Sequence, residues 1–462
     1  MYDVVEGDVV MYLVIFTLLI SFYIFNQLFN IPILSYFIGL LAVASLIISL
    51  KRANGLYLKT GVVFLSIGLV LFFLSDQPLH TFFLHFHSML GLISLFFMLP
   101  FIHSLIHVGH FDTQLNKLLT LHTTSTKQLY QKSSFVTHIL GMFLNIATIP
   151  LLYTSLKPSL VSLKEDVRQN IYTRNLLRSY ALCLSWSPVE VLVSVTIDAT
   201  KLKYYQIAPV TFCLMLVVLM TDWILFSRKS KQLPGIVQLK DARTTPKRIK
   251  RKTLQFALML LSFITLVSLI DTWIGKGYLF TVVLTIVPFS LLFSYVIKKR
   301  KQYIAVSVPH WKERTVHLSN YMCLFLSAGF FVDMLIVTNS MKPVQALIMS
   351  ISSHAIWVYC VIGLYFLITA LCGFHPLVSL ALLISMMAPV LHELPALPIA
   401  IMLITAGTST VMFSPFNVSV SLLADLMKVN PYRITRWNIW FAVFYISMGF
   451  MCATVITVIF YS

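Results

Sequence analysis

The sequence is poor in charge, and poorest in acid. Only 11% of its residues are Asp, Glu, Lys or Arg, and the 16 acids are outnumbered by 34 bases. A soluble globular domain carries about a quarter of its residues as charges, so this composition excludes that class. The six cysteines (Cys183, Cys213, Cys323, Cys360, Cys372 and Cys452) lie in apolar segments without a CxxC pair, which argues against a disulfide framework and a zinc knuckle. Nucleophile elbow, P-loop, HExxH and dinucleotide fingerprints are all missing. Nothing in the chain would supply nucleotide-driven work, and no cofactor and no enzymatic activity is expected. The first ten residues, MYDVVEGDVV, contain no Lys or Arg, so they do not read as a secretory signal.

What is abundant is apolar: 58% hydrophobic residues and a mean hydropathy of +0.87. Runs of about twenty apolar residues recur along the whole length, which predicts an all-α polytopic membrane protein with about 11 to 13 membrane segments. They fall near 10–28, 31–50, 61–75, 82–109, 134–155, 179–199, 204–227, 255–272, 278–297, 315–338, 345–390, 402–426 and 437–460. The net charge of +18 does not indicate nucleic acid, because the bases cluster in the loops between apolar runs, where the positive-inside rule places them. Between Arg228 and Lys252 there are ten bases against one acid, Asp241. This is the natural cytoplasmic join between two halves. The expected organisation is an additional N-terminal helix (1–30), a first half (31–227), a linker (228–252) and a second half (253–462), with a cytoplasmic N-terminus.

One stretch occurs twice. Residues 187–207 read SPVEVLVSVTIDATKLKYYQI and residues 414–434 read SPFNVSVSLLADLMKVNPYRI, without a gap and at a constant offset of 227. Matched valines mean little in so apolar a chain. The ordered match of Ser187/Ser414, Pro188/Pro415, Ser194/Ser421, Asp198/Asp425, Lys201/Lys428 and Tyr205/Tyr432 does. Loop charge then gives the sense of the repeat. Residues 110–178 hold eight bases, whereas the corresponding residues 339–411 hold only Lys342. Equivalent loops therefore face opposite sides of the membrane, as in the inverted repeats of secondary transporters.

The run 134–155 has basic flanks on both sides, which a single crossing would not allow. It either enters and leaves on one side as a re-entrant hairpin, bent at Asn145, Thr148 and Pro150, or pairs with the amphipathic stretch 111–131. Pro376, near-equivalent to Pro150, marks 345–390 as the matching region, which is either a hairpin or two full spans.

Ser-Pro within an apolar span breaks a helix, since proline removes a backbone hydrogen bond and clashes with the preceding turn. In lipid the freed groups must find partners or line a cavity. Two oppositely oriented breaks would bring half-helix ends together, positive N-termini attracting an anion and unwound carbonyls a cation. The candidate solute- and ion-binding residues are Ser185, Ser187, Pro188 and Glu190 in the first copy, and Thr408, Ser409, Thr410, Ser414, Pro415 and Asn417 in the second. To these the hairpins add Asn145, Thr148 and His375. Glu190, replaced by Asn417 in the other copy, is either a cation or proton site or a carboxylate paired with a base. Asp198 and Asp425 read as helix-end ion pairs with Lys201 and Lys428. Asp333 reads equally as a cap or a cation relay.

These features resemble the ion transporter superfamily, bacterial secondary carriers that include divalent-anion/sodium symporters. The likeness rests on the inverted halves joined by a basic linker, the stretch LFLSAGFFVDMLIVTN at 324–339, and a hairpin followed by a Ser-Pro break. It spans roughly residues 31–460. It implies a multi-pass protein of the bacterial cytoplasmic membrane, a homodimer with scaffold and moving transport domains and with Na+ or H+ as coupling ion. Superfamily hairpin tips carry Ser-Asn-Thr signatures that bind sodium and a substrate carboxylate; Asn145 and Thr148, and Thr369 or His375, stand at the matching positions without the signature. The reading is a secondary transporter of a small, anionic solute. Two alternatives remain: a membrane metalloprotein or enzyme using His80, His85, His87, His103, His107 and His110, and a lipid-handling flippase or assembly protein.

Overall fold

The computed structural model describes residues 6–119, 123–230 and 246–461. Most of the expected basic linker, 231–245, lies outside the described residues. The described chain is helical, without a strand, and eleven of its segments are long and apolar enough to cross a membrane. It is a polytopic membrane protein. The surface confirms the solvent: Val63, Val70 and Phe73 of the helix Gly55–Leu74 are exposed, as lipid contact allows.

Compactness divides the chain into two units that cut across the sequence halves. One contains 1–108, 270–349 and 381–389; the other contains 109–269, 350–380 and 390–462. In the first unit, helix Gly55–Leu74 packs on Ser319–Val337, and helix Leu90–Val108 packs on Tyr278–Val296. Each pair joins one helix from each half, with roles exchanged, as a two-fold repeat requires. His85 Nδ1 lies 3.0 Å from Asp333 Oδ2 in this unit, so Asp333 is paired with a histidine.

The second unit holds both Ser-Pro stretches, the first hairpin and the second hairpin as far as Leu380. The first hairpin runs Thr126–Leu144, turns at Asn145–Ala147 and returns as Thr148–Leu156. Its fold-back is fixed by shared neighbours: the Tyr130 carbonyl accepts from Asn175 Nδ2 (2.7 Å), while the Tyr153 ring, 23 residues on, packs on Tyr172. The bend that the hairpin reading requires is observed at Asn145–Ala147, and the first arm also packs on Phe111–Asn116 and Lys117–Leu119 of the amphipathic stretch. In the second hairpin, Ala355–Leu371 and Pro376–Met387 flank a turn at Gly373, whose φ of +93° suits glycine. Tyr365 Oη donates to the Ser379 carbonyl at 3.0 Å. In one straight helix those residues would be about 21 Å apart, so the chain reverses here too.

The most buried of the membrane-length segments contains Ala396–Phe413, with Thr405, Gly407, Thr408, Ser409 and Thr410 along it. Small residues let neighbours approach closely where hydrophobicity cannot drive association. A Cβ on Gly407 would lie 2.5 Å from Leu192 Cδ1, so glycine admits the helix Val191–Thr200 at this distance without displacing the leucine side chain.

Candidate functional site

Both Ser-Pro stretches break their helices, and they break them identically. In the first, Arg178–Leu184 ends before Pro188, the Glu190 N–H donates to the Ser187 carbonyl (3.2 Å), and Val191–Thr200 restarts with Ser194 N donating to the Glu190 carbonyl (3.0 Å). In the second, Ala396–Phe413 ends, Asn417 N donates to the Ser414 carbonyl (3.0 Å), and Val418–Met427 restarts with Ser421 N on the Asn417 carbonyl (3.0 Å). Each break is thus a β-turn with proline at its second position, where its fixed φ fits and its missing N–H is not needed. Each half-helix then ends on a left-handed lysine, Lys201 (φ 58°) or Lys428 (φ 55°). Asp425 makes no ion pair with Lys428; the lysines close the helices through backbone shape.

The serines have a specific task. Ser187 Oγ donates to the Met142 carbonyl at 3.0 Å, and Ser414 Oγ donates to the Ala370 carbonyl at 2.7 Å. Each hydroxyl ties its break to the last turn of the neighbouring hairpin's first arm. The turns that follow also correspond, at Asn145 (φ 50°) and Gly373 (φ 93°). Asn145 is held there by Tyr180, whose hydroxyl donates to Asn145 Oδ1. The duplication therefore includes the hairpins, which sequence identity alone does not show.

The two arms meet and run antiparallel. Asn438 Nδ2 reaches the carbonyls of Thr173 (3.4 Å) and Met412 (2.9 Å), early in one arm and late in the other. Further along, the Tyr445 hydroxyl lies 3.4 Å from Thr408 Oγ1 and also meets the Ser185 side chain. Further still, Leu192 abuts Gly407. Numbering rises along the first arm as it falls along the second, which is the inversion inferred from loop charge.

Of the sequence-selected residues, Ser185 and Thr408 are brought to one tyrosine, Ser187 and Ser414 hold the hairpins, and Glu190 and Asn417 stand as equivalent N-caps of the restarted half-helices. Asn417 Oδ1 accepts from Ser419 N (3.1 Å) and Ser419 Oγ (2.8 Å). Pro188 and Pro415 make the turns. Ser409 and Thr410 bond to Ala406 and Gly407 carbonyls of their own helix, so their hydroxyl protons are already committed. Thr148 is buried on the first hairpin, its Oγ1 without a hydrogen-bond partner. His375 lies in the second hairpin turn, where its Nδ1 accepts from Leu377 N (3.3 Å). Trp186 Nε1 donates to His138 Nε2 (2.8 Å), tying the first break to its hairpin a second time.

A buried charge network escaped the sequence reading. Arg178 Nη1 is 2.6 Å from Asp222 Oδ1, its Nε donates to Asn438 Oδ1 (2.9 Å), its Nη2 donates to the Trp437 carbonyl (3.1 Å), and Tyr130 Oη donates to Asp222 Oδ2 (2.5 Å). Asp222 sits inside an apolar run, so the signal of an intramembrane acid was present. Arg178 was hidden because it reads as the last base of a loop. It follows a π-helical turn, Thr173–Leu177, a feature common at functional sites. Among the described residues no three His, Cys, Asp or Glu side chains gather as a metal site would need.

No protein-family model and no curated protein sequence matches the chain. Solved structures share its fold. The YdaH transporter of Alcanivorax borkumensis superposes with a TM-score of 0.58 at 12% identity, over 88% of this chain and 98% of its own. MtrF of Neisseria gonorrhoeae, described within a class of antimetabolite efflux pumps, gives 0.54 at 11% identity, over 86% and 94%. At these identities the likeness is one of fold.

Proposed function

We propose that this protein is a secondary active transporter of a small anionic solute, working in a bacterial cytoplasmic membrane on a proton or sodium gradient. The observation that carries the reading is the pair of identical Ser-Pro turns in antiparallel arms joined at Tyr445. Each turn leaves the first N–H groups of a half-helix without intrahelical acceptors, and such ends attract anions. A transporter fold shared with two solved carriers supports the same reading. The unit holding the first hairpin, both broken arms and the first part of the second hairpin is the one we assign to solute transport, and the other to a scaffold, in a homodimer.

The copies differ where coupling needs a difference. Glu190 stands at the N-cap position of one half-helix without a side-chain cap hydrogen bond, and neutral Asn417 caps the other. An ionised Glu190 repels an anion nearby; binding H+ or Na+ there removes that repulsion. Ion and solute would then favour each other's binding, which is the thermodynamic requirement for symport.

Proteoliposomes with an imposed pH or sodium gradient, loaded against a panel of carboxylates and other small anions, test the proposal. Gradient-dependent movement of at least one solute, lost in Pro188→Ala and Pro415→Ala while membrane insertion persists, is the expected result. Absence of such movement across the panel contradicts it.

A further inference from the structure

At the end of the first arm remote from its break, a cavity of about 340 Å³ opens, lined by Arg174, Arg433, Arg436, Asp166, Asn170 and Trp437, among others. The loop charges place this end on the cytoplasmic side. Its charges do not balance. Asp222, with 2% of its side chain exposed, is taken by Arg178 at 2.6 Å, which leaves Arg174 at 3.8 Å from the same oxygen. Arg174 Nε is buried without a hydrogen-bond partner, although the side chain is only 14% exposed. Arg433 pairs with Asp166 at 2.9 Å, but Asp166 is 81% exposed, and so open a pair is readily exchanged. Arg436 makes no ion pair among the described residues. After both pairings the cavity keeps two surplus guanidinium charges, and crowding them is unfavourable unless a counter-ion enters.

We infer that this cavity is a binding site for a phosphate-class oxyanion, distinct from the solute site at the Ser-Pro turns. A phosphate monoester dianion matches the surplus charge, and guanidinium forks pair with its oxygens two at a time. The cation–π contact of Arg433 over Trp437, at 4.8 Å, holds one fork in place. The buried Phe226 and the half-buried Val167 give the cavity an apolar wall for the group that the phosphate carries. That group is either the remainder of a soluble phosphate ester or the glycerol and acyl chains of an anionic lipid, and both reach the cytoplasmic membrane face.

The test uses the full-length protein in phosphatidylcholine nanodiscs. In one arm glycerol phosphate and inorganic phosphate are titrated and binding is followed calorimetrically; in the other, phosphatidylglycerol retention is measured by native mass spectrometry. Arg174→Gln borders the Asp222 network and risks misfolding, so the decisive variants are Arg433→Gln and Arg436→Gln. Saturable phosphate binding, weakened about tenfold or more in both variants and falling with salt, assigns a soluble ester. Selective retention of phosphatidylglycerol over phosphatidylcholine, lost in both variants, assigns the lipid. If neither probe binds, or if binding is unchanged in the folded variants, the inference is overturned. Loss of solute transport at the Ser-Pro turns would leave this result untouched, so the two proposals fail separately.

Discussion

Leu192 and Gly407, one from each broken arm, touch so closely that a Cβ on the glycine would fall 2.5 Å from the leucine's Cδ1. This contact sets how near the helices Ala396–Phe413 and Val191–Thr200 come at that point. Because the leucine methyl is the end of a flexible side chain, Gly407→Ala should be tolerated at a cost of about 1–3 kcal/mol. Gly407→Val should separate the arms and abolish transport. The double variant Gly407→Ala, Leu192→Ala should be more active than Gly407→Ala alone, a coupling that thermal unfolding and flux measurements together would reveal.

The two serines make a paired prediction. Ser187→Ala and Ser414→Ala each remove one hydroxyl that ties a turn to a hairpin, worth about 0.6–1.7 kcal/mol in a membrane protein. Both should lower stability by that order and reduce transport to a similar degree, because the repeat gives them one task. Threonine keeps the donor, so Ser→Thr variants should retain more activity than the alanine ones. A large effect in one copy with none in the other would contradict equivalence.

Arg178 and Asp222 should behave as a unit. Removing Asp222 strips Arg178 of its counter-charge, and removing Arg178 leaves Asp222 with only Tyr130 and the more distant Arg174. Breaking a buried pair costs about 3–5 kcal/mol, so Arg178→Met and Asp222→Leu should each lower detergent-extracted thermostability sharply. The double variant should recover much of the loss. Asn438→Ala, which frees the Thr173 and Met412 carbonyls, should loosen the arms without removing a charge.

Much of this was legible in the sequence, and the reason is physical. Ser-Pro in an apolar run leaves backbone groups that lipid cannot satisfy, so its recurrence at one offset pointed to two breaks rather than two packing kinks, and reversed loop charge pointed to opposed orientation. The hairpin at Asn145 was visible as one of two possibilities, since basic flanks exclude a simple crossing but not its alternatives. What could not be read was reach. Tyr445 has no polar neighbour in sequence to mark it, and nothing in a loop arginine says that it turns inward to Asp222. Likewise the serines looked like ligands; only the structure shows their hydroxyls spent on Met142 and Ala370. The cross-half pairing of helices in the first unit was also invisible, because apolar faces carry no partner-specific pattern.

In the transporter proposed above, Glu190 couples an ion gradient to solute movement across the paired turns. The direct measurement is flux in proteoliposomes for wild type, Glu190→Gln and Asn417→Asp, with and without an imposed gradient. Wild type should show gradient-driven accumulation. Glu190→Gln should lose it while keeping solute exchange at equal concentrations, and Asn417→Asp should weaken solute binding by placing a second carboxylate at the other half-helix. Gradient-driven accumulation that survives Glu190→Gln unchanged would contradict the account.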